Sequence, residues 1–184
     1  MKIVGEIKEK AAIIALNKEL KSFKRESSIQ NFESAVTAGF IFDADDREKY
    51  QKTKDFISYT EKKDIRIFGI GYTAKSNQIA YFPYKNGVSY FGLDEINWYG
   101  KPTNPVVDEF LKRRYDLLLD LTQSDLFPMH YIFALSTSKF KITNNSIKAK
   151  YADFVLQLDN SEKLETYIEQ IKHYLESIKI KPSS

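Results

Sequence analysis

The stretch Ala35-Val36-Thr37-Ala38-Gly39-Phe40-Ile41-Phe42-Asp43-Ala44-Asp45-Asp46 decides the architecture of this chain. From Ala35 to Phe42 it is uncharged and shows no apolar–polar alternation, as a strand covered on both faces requires. It then stops in acid. Asp45 and Glu48 have the spacing of a capping box, which predicts a helix from there to about Thr60. Asp64-Ile65-Arg66-Ile67-Phe68-Gly69-Ile70-Gly71-Tyr72-Thr73 reads as a second strand. Strand, helix and strand within about forty residues make a βαβ unit with a right-handed crossover.

Toward the C-terminus the same grammar repeats. Residues 74–103 are the least regular, with a turn signal at Asn86-Gly87 and a Pro83 that suits only an edge strand. They predict a hairpin or an excursion over the strand ends, finishing at Trp98-Tyr99-Gly100-Lys101-Pro102. Asn104-Pro105 reads as an N-cap followed by proline at the first helical position, opening a helix to about Arg113. Strands are expected over Tyr115–Leu121, Phe140–Thr143 and Phe154–Leu158, with a helix over Phe127–Ser136 carrying Pro128 in its first turn. From Ser161 a last helix places Leu164, Ile168, Ile171, Leu175 and Ile178 on one face.

Toward the N-terminus, Ile3 to about Arg25 predicts a helix with Ile13, Leu16, Leu20 and Phe23 on one side. Lys8, Lys10, Lys18, Lys21, Lys24 and Arg25 make the other side basic. Such a helix covers a domain, lies on a membrane surface or docks a partner. The whole reads as one α/β domain over residues 1–184, with residues 1–30 its N-terminal helix and loop. Its fold class is a three-layer Rossmann-like or flavodoxin-like, mostly parallel sheet with helices on both faces and amphipathic helices at both termini. A chain of 184 residues buries about 70% of its unfolded surface, enough for a core without staples.

Composition removes several functions. A net charge of +3 is too small to argue for nucleic acid. With no cysteine, disulfides, thiolate chemistry and cysteine-ligated metals are excluded. The start lacks the apolar core of a signal peptide, and no apolar run approaches the ~20 residues that span a bilayer. A cytoplasmic location is therefore the expectation.

Open α/β sheets bind ligands beyond the carboxyl ends of their strands, where strand order reverses. The first strand and the one beginning at Tyr115 are expected to flank that point. Candidate ligand-binding residues there are Asp43, Asp45, Asp120 and Thr122, with Thr73 at the end of the second strand. Trp98 and Lys101 add a possible stacking and charge-pairing corner. No catalytic residue is assigned. Paired carboxylates hold Mg²⁺ or divide acid and base work, yet aspartates at strand ends also cap helices and shape turns. No cofactor or metal is expected, Mg²⁺ entering only if the Asp43 site handles phosphoryl groups. Gly69-Ile70-Gly71 lies inside a strand and lacks the third glycine of a dinucleotide fingerprint. His130 and His173 lack metal-pair spacing.

Three resemblances add to this reading. Phe42-Asp43-Ala44-Asp45 resembles the first motif of haloacid-dehalogenase-type phosphatases, which implies Asp43 as nucleophile and Asp45 as acid/base with Mg²⁺. Asp46-Arg47 departs from that pattern, and the downstream acidic motif is absent. The set Gly39–Asp45, Ile67–Thr73, Asn97–Pro102 with Asn104-Pro105, Tyr115–Leu121, Ala134–Ser136 and Phe140-Lys141 resembles, over nearly the whole chain, a Bacteroidota family with no assigned activity. Tyr115–Leu121, Tyr131–Ser136 and Lys139–Lys141 are similar to the acceptor-side Rossmann-like half of heptosyltransferase-like glycosyltransferases, a likeness that implies fold more than activity. Two functions stand side by side. One is a non-enzymatic Rossmann-like protein binding a partner protein or small ligand. The other is an enzyme or binder of a phosphorylated or nucleotide-linked small molecule at an Asp43/Asp120 crevice.

Overall fold

Burial on both faces is what makes the Ala35–Phe42 run a central strand. The computed structural model describes residues 2–75, 87–122, 125–157 and 163–180. Within these the chain runs α1 (Lys2–Leu20), β1 (Thr37–Asp43), α2 (Arg47–Glu61), β2 (Arg66–Thr73), β3 (Val88–Gly92), α3 (Pro105–Lys112), β4 (Leu117–Asp120), α4 (Phe127–Leu135), β5 (Phe140–Thr143), β6 (Phe154–Val155) and α5 (Leu164–Ser177). Single 3-10 turns lie at Leu93–Glu95 and Ala149–Tyr151. The hairpin expected around Asn86, and the edge position expected of Pro83, lie outside the described residues.

The strands form one six-stranded sheet in the order β3-β2-β1-β4-β5-β6, and every neighbouring pair is parallel. The sheet is thus fully parallel where a mostly parallel one was expected. Alternate residues serve the two faces. Phe40 and Phe42 of β1, with Leu117, Leu119 and Leu121, pack against Phe56 and Ile57 of α2 and Ile168, Ile171 and Leu175 of α5. Ile41, Ile70 and Leu118 face the other way, against Leu16 of α1, Val107 and Phe110 of α3, and Met129 and Ile132 of α4. The two helical layers explain why β1 and β4 carry no polar stripe.

Gly71 has a packing reason. A Cβ there would stand 2.7 Å from both the Phe42 and Tyr90 rings. The Gly-x-Gly of β2 therefore makes room for aromatic side chains.

Some boundaries and one helix face differ from expectation. The N-terminal helix ends at Leu20, where Ser22 and Phe23 turn back onto the carbonyls of Glu19 and Leu20. Its contact with the domain falls on Ala12 and Leu16, both 2% exposed, so Ile13, a further 100° round the helix, points outward. The N-cap of α2 is Asp46, which accepts from the Glu48 and Lys49 amides, and Asp45 is bonded elsewhere. The last strand stops at Val155. The Asn104 cap and the Pro105 start of α3 are as expected.

Candidate functional site

Strand order reverses between β1 and β4. The crossover from β1 runs through α2 on one face of the sheet, and the crossover from β4 runs through α4 on the other, which opens a crevice at their carboxyl ends. In the register of the two strands Ile41 lies opposite Asp120. Asp43 and Asp120 therefore sit at the same edge, at positions whose alternation assigns them to the α4 face.

Asp120 is fully buried, and its carboxylate has four donors. Its Oδ1 accepts from the Thr122 hydroxyl at 2.6 Å and the Thr122 amide at 3.2 Å. Its Oδ2 accepts from the Thr143 hydroxyl at 2.8 Å and from Lys148 Nζ at 2.9 Å. Lys148 also donates to the Thr122 hydroxyl. Both members of the ion pair are essentially without solvent contact, at 1% and 0% side-chain exposure. Such a pair persists because each charge is matched and hydrogen-bonded.

Local turns bring Lys148 there. Asn145 donates its amide to the Thr143 hydroxyl, and its side-chain oxygen accepts from the Ile147 and Lys148 amides. That Asx turn folds the chain back over the end of β5.

Two polar atoms beside this network have no hydrogen-bond partner among the described residues: His130 Nε2 and the Tyr167 hydroxyl. Burial, then the charges of Lys148 and Lys150, push the His130 imidazole down to about 4, so it is neutral at pH 7. Its ring lies 5.4 Å from that of Tyr151. Burial raises the Tyr167 hydroxyl well above its ordinary value, and the negative charge of Asp120 adds to the shift.

The remaining candidates are distributed differently. Asp45 accepts from the Thr73 hydroxyl at 2.6 Å and from the Ala74 amide, and so ties the end of β1 to the end of β2. The Lys49 and Glu48 amides hold the Asp46 carboxyl below the usual range. Asp43 is half-buried and, with Asp45, adds to the burial that raises the Tyr72 hydroxyl. Trp98 and Lys101 do not form a corner. Trp98 meets the Tyr99 ring edge-on at 5.2 Å. Lys101 pairs with Glu19 of α1 at 2.7 Å and lies over the Tyr131 ring.

The start of α4 offers little to an anion. Its N-cap, Leu126, has no capping side chain, and Pro128 has no N–H. The Met129 and His130 amides both bond the Leu126 carbonyl. Among the described residues no group of three or more His, Cys, Asp or Glu is gathered as metal ligands.

Around this edge the surface is apolar and charged. Leu93 (57% exposed), Trp98 (61%), Leu126 (39%) and Ile147 (48%) all lie in segments that follow strand ends. Asp45, Asp46, Asp94 and Asp125 are exposed on segments that follow strand ends, and so are Arg47, Lys75 and Lys150. Lys148, Thr143 and Tyr167 were not singled out from the sequence. The only signal was the turn-forming Asn144-Asn145-Ser146 after β5.

Set against known proteins, residues 8–178 match the model of a family of unknown function (DUF6913). No curated protein matches the chain.

Proposed function

We propose, for a chain that belongs to the family of unknown function DUF6913, that it is a non-enzymatic Rossmann-like binding protein receiving a partner protein over the carboxyl edge of its sheet. One observation carries this reading. Asp45, Asp46 and Asp120, acids that a strand-end chemistry would use, are spent on the fold: a strand-to-strand tie, a helix cap and a buried ion pair. What the edge presents outward is Leu93, Trp98, Leu126 and Ile147 among exposed charges of both signs. Exposed apolar groups rimmed by charge favour a protein partner, here one with apolar side chains and charges that pair with both signs.

The test places a photo-crosslinking residue at Trp98 or Ile147, and at Glu109 on α3 as a control. A discrete crosslinked protein from the two edge sites, absent at Glu109, supports the reading. Lack of any edge-specific product overturns it.

A second reading is favoured by the unpartnered His130 Nε2 and Tyr167 hydroxyl, which leave polar capacity beside the crevice. It is a small molecule bound there. A thermal-shift screen of nucleotides, sugar nucleotides and sugar phosphates, with and without Mg²⁺, tests it. A shift of a few degrees lost in Asp43→Asn would establish that reading in place of the first.

A further inference from the structure

Helix α1 is packed on one side only. Ala12 and Leu16 are its buried positions, and Glu19 holds Lys101 and the Tyr131 hydroxyl. The opposite side carries Ile7 at 55% exposure, Ile14 at 69% and, on its flank, Ile13 at 45%. At 3.6 residues per turn Ile7 and Ile14 fall about 20° apart, Lys10 and Lys18 lie within about 40° of Ile14, and Lys21 follows in the turn just past the helix end. All three lysines belong to exposed positions. No carboxylate shares that arc. Glu6 and Glu9 stand about 80° and 140° away, and Glu19 is on the packed side.

A face of this composition selects its occupant by charge. Two copies of α1 laid together along this face would set lysine against lysine, and like charges at close range repel. The apolar stripe is also narrow, one isoleucine per two turns with a third beside it. That is far from the roughly 800 Å² that each side of a stable protein interface contributes. A lipid surface makes no such demand. Isoleucines enter the headgroup boundary while lysine stems run along the apolar layer and leave their ammonium groups among anionic headgroups.

We propose that the outer face of α1 and the turn that follows it, through Ile7, Ile14, Lys10, Lys18 and Lys21, docks this protein on an anionic lipid surface, with the helix lying along it. No helix among the described residues is long and apolar enough to cross a membrane. The docking is peripheral, and it weakens with salt as the headgroup charges are screened.

Vesicle flotation of the full chain tests this, with phosphatidylcholine alone and with phosphatidylserine added. The wild type should float with the phosphatidylserine vesicles, stay behind with phosphatidylcholine, and be released by high salt. Ile7→Ser/Ile14→Ser should reduce binding about tenfold or more, and Lys10→Gln/Lys18→Gln/Lys21→Gln should abolish the preference for anionic lipid. These positions are exposed, so the variants keep the fold, and an unchanged thermal transition checks that. Ile29→Ser, exposed outside α1, is the control and should bind as wild type. Absence of binding to phosphatidylserine vesicles overturns the proposal. So does binding that survives both sets of substitutions. A wild-type dimer that Ile7→Ser/Ile14→Ser converts to monomer also overturns it, since a second copy would then cover the face.

Discussion

Lys141 should make this protein more stable at pH 9 than at pH 7, and one substitution should remove the difference. The lysine sits on β5 at 1% exposure. Its Nζ donates to the Phe133 and Ala134 carbonyls, at 2.8 Å and 3.1 Å, in the last turn of α4. Burial, with Arg25 nearby adding positive charge, pushes its ammonium down to about 7 from the ordinary 10.5, while Asp153 pulls the other way. Between those two values the unfolded chain holds the proton and the folded chain does not. The unfolded state binds more protons, so stability rises with pH through this window. Integrated from pH 7 to pH 9, the two pKa values give a gain of about 2 kcal/mol. The other shifted groups named here lie outside this window. His130 completes its change below it, and Lys52, Lys63 and Lys101 are raised and act above it. The assay is the guanidinium midpoint at the two pH values for wild type and Lys141→Met, which keeps the volume and removes the titration. Wild type should gain and the variant should stay level. Parallel movement of the two proteins, or a wild type that loses stability toward pH 9, would refute the argument from burial.

Three further outcomes are expected. Asp120→Asn should cost about 3–5 kcal/mol in chemical denaturation by leaving Lys148 buried without its counter-charge, and Asp120→Asn/Lys148→Met should recover part of that loss. Equal losses in the single and double variants would mean that the two charges are not coupled. Gly71→Ala should cost about 1–3 kcal/mol, because its methyl meets the Phe42 and Tyr90 rings; a neutral result would show that those rings move aside freely. The His130 ring signals in NMR should stay flat from pH 8 to pH 5 and turn near pH 4, whereas a midpoint near 6.5 would place the imidazole in solvent.

The sheet was legible because burial on both faces leaves a direct trace, the uncharged runs of β1 and β4, and because Asn104-Pro105 is a start signal with a local cause. Boundaries set by tertiary contact were less so. Asp45 and Asp46 are chemically identical neighbours, and only the approach of Thr73 from β2 decides which of them caps α2. Ile13 belongs to an apolar face by spacing, but the seat on α4 takes Ala12 and Leu16. The buried partner of Asp120 was invisible for a related reason. Lys148 is one of 28 basic residues, and nothing in its neighbours distinguishes it. It lies 28 residues downstream of Asp120, and the Asx turn at Asn145 delivers it.

Strand order alone would have suggested a dinucleotide, since 3-2-1-4-5-6 is the order of sheets that hold one over the first crossover helix. The residues at that helix argue against it. There, phosphates need a turn with little side chain and unspent amides. Here the turn is Asp43-Ala44-Asp45-Asp46, with no glycine, and Asp46 already takes the Glu48 and Lys49 amides. A phosphate would have to displace one carboxylate and settle beside two more. Across the crevice, Pro128 and the doubly used Leu126 carbonyl leave α4 with no more than the Phe127 N–H to offer. The buried positive charge at the crevice, Lys148, is spent on Asp120. Both flanks of the switch point thus offer a phosphate few free amides, although the backbone has the topology that elsewhere receives one. A protein partner that brings apolar side chains to the edge meets no such obstacle, since it asks for no free amides at the two helix starts.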